Sequence, residues 1–208
     1  MAPPPHDDIN NSVATALSQA RTGDIWLFRG PAPADTAIRM ATNSPVNHVA
    51  MAVVLDDLPP LLWHTELGHT LGDVWTGDHH RGAQLNLLAE ALPVWIAKYG
   101  QRAFVRELDA DITPTIEHKL LGVIHRLDGR PFPRTSRLVR YWAAGRIRRS
   151  VSLDTIYCAE LIAITYQRMG LLGRDRPANW FDPGRFWSGD RLDLAEGATL
   201  GIEREIIV

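Results

Sequence analysis

Cys158 is the sole cysteine of this chain of 208 residues, and it opens an apolar run. A thiol is a nucleophile and a metal ligand only as thiolate, so its surroundings decide what it can do. Helical spacing of the apolar residues predicts a helix over residues 154–169, ending at Gly170. Ser152 or Asp154 is the expected cap, which puts Cys158 in or near the first turn. There the helix dipole and unpaired backbone N–H groups favour thiolate. The N–H of Cys158 itself is placed to help hold an oxyanion. Taken alone, however, a single cysteine in an apolar helix is more often a small core residue.

A thiol nucleophile needs a base, and the base needs a group to orient it. His48 interrupts the apolar stretch 46–55, which reads as a buried strand. Residues 61–67 read as the next strand, where alternation places His64 and Glu66 on one face and Trp63 and Thr65 on the other. If the two strands pair, His64 or Glu66 can hold the His48 ring. A carboxylate would do so through a charge-assisted bond, an imidazole through whichever tautomer it adopts. The reading requires the Cys158 sulfur within about 3–4 Å of a His48 ring nitrogen.

Other elements must carry these residues. Helices are predicted over 8–20, 89–99 and 113–127, with one or two helical turns over 34–41. Strands are predicted over 25–29, 84–88, 101–108 and near 200–207. Residues 56–60 form a hairpin turn, 68–82 a long loop rich in Gly, His and Asp, and 177–190 a Pro/Gly/Trp loop. Long loops in compact domains are often functional. Strands first and helices later argue for an α+β class with an antiparallel sheet. Residues 1–7 are expected to be a disordered start, and 8–208 a single domain.

Composition is that of a globular protein, with 45% hydrophobic and 22% charged residues. A net charge of −2 gives no global reason to expect a nucleic-acid partner. One cysteine excludes an internal disulfide and zinc sites of the four-Cys or Cys2His2 kind. No apolar stretch of about 18 residues exists, so no transmembrane segment is expected. The opening MAPPPHDD lacks the cationic and apolar parts of a secretory leader, which makes a cytoplasmic location the expectation.

Five short motifs stand in a telling order: GDIWLF at 23–28, NHVAM at 47–51, LWHTE at 62–66, GRPF at 129–132 and YCAELIA at 157–163. In this order they resemble the permuted branch of the NlpC-type, papain-like cysteine hydrolases. That branch includes bacterial amidase-like proteins and relatives of lecithin:retinol acyltransferase. The resemblance spans about residues 22–190. It implies a circularly permuted papain-like fold, an antiparallel sheet or half-barrel packed on helices. It also implies Cys158 as nucleophile, His48 as base, and His64 (with Glu66 as alternative) as third residue. Glu160 matches a position often acidic in the family. Tyr157, Trp26 and Trp63 are the expected substrate contacts. The implied chemistry is acyl transfer through a thioester, with no cofactor and no metal. The substrate is a small molecule, a peptide or an acyl lipid.

Alternatives remain open on the residues. The chain could instead be a lipid-directed acyltransferase or thioesterase, or a binding module whose cysteine is structural. His64, Glu66, His69, His79 and His80 invite a metal reading, but their spacing matches no helical motif. The arginines at 134, 137, 140, 146, 148 and 149 suit phosphates or lipid headgroups, and equally a solvated helix face. The aromatic stretch 180–187 suits a substrate groove, and equally a loop pinned to the core.

Overall fold

The computed structural model describes residues 12–66, 68–132, 156–187, 192–195 and 197–207. Alternating apolar stretches form a six-stranded antiparallel sheet in the order β4-β3-β2-β1-β5-β8. Its strands are β1 (Ile25–Arg29), β2 (His48–Val53), β3 (Leu61–Glu66), β4 (Gly82–Leu87), β5 (Arg102–Arg106) and β8 (Arg204–Ile206). Two short strands, β6 (Leu108–Asp109) and β7 (Thr199–Leu200), pair separately. The helices are α1 (Val13–Gln19), α2 (Pro33–Thr42), α3 (Leu88–Pro93), α4 (Pro114–Leu127) and α5 (Cys158–Met169). This is an α+β architecture with both faces of the sheet covered.

Side-chain alternation sorts the core into two layers. On one face Leu27, Val49, Met51, Trp63, Leu85 and Phe104 pack against α4 and α5. On the other, Trp26, Phe28, Ala50, Ala52, Leu62 and Val105 pack with Leu88, Leu92 and Trp95 from α3 and the π-helical turn (Val94–Lys98) that follows it. The small Ala50 and Ala52 leave room there for larger rings.

The GD motif anchors the start of β1. Gly23 takes φ +98°, and a Cβ there would lie 2.3 Å from Leu108 Cδ2. Asp24 accepts the N–H groups of Arg21 and Leu108, each at 2.8 Å. Tyr166 of α5 donates its hydroxyl proton to the Gly23 carbonyl. Together these contacts fasten the start of β1 to β6 and to the nucleophile's helix.

The antiparallel sheet, the β2–β3 pair and the 68–82 loop match expectation, except that Leu67 lies outside the described residues. So does the basic stretch 134–149. Helix α4 begins where its Thr113-Pro114 pair indicates, with the Thr113 hydroxyl accepting Ile116 N–H. The last major helix is shorter than its periodicity suggested. It starts at Cys158, not at 154, with Tyr157 as the cap residue and no side-chain cap bond. The expected cap residues Ser152 and Asp154 lie outside the described residues. The π-helical turn replaces the second half of the α-helix expected over 89–99.

Candidate functional site

Cys158 stands at the first position of α5 and is buried. Three backbone N–H groups, of Val49, Ala159 and Cys158 itself, stabilise its thiolate form. Burial outweighs them and pushes the thiol up to about 11. The expectation of a resting thiolate is thus corrected: the helix start supplies donors, but the dry setting keeps the proton on sulfur.

The Val49 contact brings the sulfur to β2 one residue along from His48. That strand start is fixed by Asn47, whose Oδ1 accepts Gly30 N–H at 2.7 Å while its Nδ2 donates to Asp35 at 3.0 Å. The His48 ring leaves β2 on the α3 side of the sheet. It lies among Phe28 at 5.8 Å, His64 at 5.6 Å and Trp95 at 5.4 Å between ring centroids. Cys158 belongs to the α5 layer. Thiol and imidazole therefore lie near the same end of β2 but on opposite faces of the sheet, and no sulfur–nitrogen contact of the roughly 3–4 Å that the reading requires joins them. The β2–β3 ladder extends from Val53↔Leu61 to Met51↔Trp63, while on its other edge β2 pairs with β1 as far as Phe28↔His48. No hydrogen bond joins the two groups: His48 Nε2 is buried and has no partner. Burial and then the neighbouring His64 hold the His48 imidazole well below its ordinary range, so it is neutral at pH 7.

His64 and Glu66 share a face, as alternation required, but do different things. The His64 ring packs edge-on to His48 and to Trp95. Glu66 turns toward the following loop, where its Oε1 accepts Gly68 N–H at 2.7 Å. The structure thus sets His64, not Glu66, against His48. Two residues not anticipated complete this layer. Asn86 Oδ1 lies 2.5 Å from His64 Nε2, and Gln84 is the cross-strand neighbour of His64. Both Gln84 amide atoms are buried without partners, as are His64 Nδ1 and Glu66 Oε2. Their signal was present in the alternation of GAQLNL at 82–87, which puts two amides on the face of His64.

The three expected substrate contacts are core residues. Trp26 and Trp63 are 0% exposed. Trp63 ties β3 to α5 by donating Nε1–H to Thr165 Oγ1 at 3.1 Å. The Tyr157 hydroxyl reaches the carbonyls of Asn179 and Phe181 at 2.8 and 2.9 Å. Residue type and place in a motif do not reveal exposure. Glu160 is also buried, held by Tyr157 N–H, and burial pushes its carboxyl up to about 8. The 180–187 stretch is pinned: Phe181 and Phe186 are core residues, and Arg176 and Arg185 stack on Trp180. Among the described residues no cluster of three His, Cys, Asp or Glu is placed to hold a metal ion. His69 and His79 instead each bond the other's carbonyl. Nor is any described helix long and apolar enough to cross a membrane.

No family model matches the chain, and no curated protein does. Among solved structures, the chain is similar to the metalloprotein yiiX from Escherichia coli O157:H7, a DUF1105 protein. The TM-score is 0.51 at 19% identity, over 89% of this chain and 98% of that one. At that identity the likeness is one of fold.

Proposed function

We propose that this chain is a cysteine-dependent acyl hydrolase of the amidase or peptidase type, on a permuted papain-like fold. Cys158 is the nucleophile, His48 its base and His64 the group that orients His48. The observation that carries the reading is the place of Cys158 at the first position of α5, with its sulfur on the Val49 N–H next to His48 in the chain. The thiol is held by three backbone N–H groups, and His48, against which His64 packs, is neutral.

The resting pair is a neutral thiol and a neutral imidazole. His48 takes the thiol proton as sulfur attacks an amide or ester carbonyl and the S–C bond forms. The oxyanion develops against the N–H groups at the α5 start. His48 passes the proton to the leaving amine or alcohol as its bond to carbon breaks. Water then attacks the thioester, the S–C bond breaks, and the thiol regains its proton.

The test is intact mass spectrometry of the folded protein after incubation with activated acyl esters of differing chain length. Wild type is expected to gain one acyl group and Cys158→Ala none, with chain-length preference reporting the acyl class. Absence of a Cys158 adduct with every donor would leave the cysteine a structural residue.

A further inference from the structure

The polar residues behind His48 are arranged with a direction. A backbone carbonyl can only accept, so the Gly72 oxygen, 2.7 Å from Asn86 Nδ2, fixes which end of the Asn86 amide faces it. Asn86 Oδ1 therefore faces His64 Nε2 at 2.5 Å, and an amide oxygen can only accept. The hydrogen on His64 must then sit on Nε2. Burial lowers the His64 pKa first of all, against the opposing pull of Glu66, Asn86, the Thr65 carbonyl and Asp73, so the ring is neutral at pH 7. A neutral ring with its hydrogen on Nε2 presents a bare lone pair at Nδ1.

That lone pair is one of two unpartnered imidazole nitrogens in adjacent rings; the other is His48 Nε2. The rings stand edge-on at 89°, with centroids 5.6 Å apart. An N–H···N bond of about 2.9 Å sets two imidazole centroids roughly 5 Å apart. The observed separation is within about 1 Å of that hydrogen-bonded value.

We infer that Asn86, anchored on the Gly72 carbonyl, is a positioning residue that fixes His64 as the Nε2–H tautomer. His64 Nδ1 can then accept His48 Nε2–H, leaving His48 Nδ1 as the basic atom. The inference rests on the thiol-hydrolase reading for its purpose, but not for its geometry. Glu66 on β3, Asp73 in the 68–82 loop, His48 on β2, Asn86 and Gln84 on β4 and the Thr65 carbonyl are polar groups facing His64. Trp95 closes the layer from beyond α3. The loop thus contributes to the site through a carbonyl oxygen.

Two-bond 15N–1H correlation spectra of the full chain labelled at histidine report each ring's tautomer directly. Wild type at pH 7 is expected to show His64 protonated on Nε2 and bare on Nδ1. A His64 protonated on Nδ1, or doubly protonated, would overturn the inference whether or not the protein is an enzyme. Asn86→Leu removes the acceptor and is expected to mix the two tautomers. It should also lower the acylation rate at least tenfold at unchanged KM. Asn86→Asp keeps an acceptor for Nε2–H in nearly the same shape. It should retain the tautomer and raise the pH at which His64 titrates, because a carboxylate stabilises imidazolium. An unchanged His64 tautomer in folded Asn86→Leu would contradict the assignment. Failure of the parent reading shows differently, as absent Cys158 acylation with the wild-type tautomer as described.

Discussion

Alkylation of Cys158 with iodoacetamide tests the balance between burial and backbone donors at the nucleophile. Burial pushes this thiol up to about 11, against about 8.5 for a free cysteine. At pH 8 the thiolate fraction is then about 0.1%, compared with about a quarter for the free thiol, a ratio of roughly 200. A more basic thiolate is intrinsically more nucleophilic, which recovers about tenfold. The net deficit is roughly 20-fold, before any further slowing from limited access. Because the chain has one cysteine, the rate of mass gain reports this site alone. The rate is expected to rise about tenfold per pH unit from pH 7 to 10 without a plateau. In denaturant the same thiol should level off near its ordinary value. A plateau in the folded protein with an apparent pKa below 8 would refute the reasoning. It would show that the α5 donors, or an ion pair with His48, outweigh burial.

Two further outcomes concern the scaffold. Thr165→Val strands the buried Trp63 Nε1–H, which now reaches Thr165 Oγ1 at 3.1 Å; the loss is about 1–3 kcal/mol. At this size that lowers Tm by roughly 2–12 °C, and a midpoint unchanged within about a degree would show that the bond carries nothing. Glu160 has a folded pKa of about 8, well above its unfolded value. Its protonated form thus contributes stability that is complete at acid pH and lost as pH rises through about 8. Urea midpoints should fall more steeply between pH 5 and 8 in wild type than in Glu160→Gln. The difference is on the order of a few kcal/mol, and parallel pH curves would contradict the burial.

Much of this was legible because it depends on period and chain direction. Alternation in LWHTE placed His64 and Glu66 on one face and Trp63 on the other, and the Thr113-Pro114 pair marked the start of α4. What escaped depends on three-dimensional surroundings. The start of α5 was misplaced because Tyr157 is not a capping residue type and apolar spacing continues upstream of it. The state of Cys158 was misjudged because its donors are readable from a helix start, whereas its burial is not. Trp26, Trp63 and Tyr157 belong to matching motifs, yet a motif does not reveal that both faces of the sheet and the start of α5 are covered. The choice between His64 and Glu66 needed the loop: Gly68 N–H draws Glu66 away from His48. Asn86 and Gln84 were visible as two amides at alternate positions, and their meaning emerged only once β4 was seen beside β3.

The central claim is that Cys158 and His48 act as one unit, and the most direct measurement is the single-turnover acylation rate of Cys158 in wild type and in His48→Gln. A general base that removes the thiol proton contributes about 100- to 10,000-fold. His48→Gln is therefore expected to acylate at least about 100-fold more slowly at pH 7, with the gap narrowing toward pH 11 as hydroxide takes over the deprotonation. Equal rates in the two folded proteins at pH 7 would contradict the account.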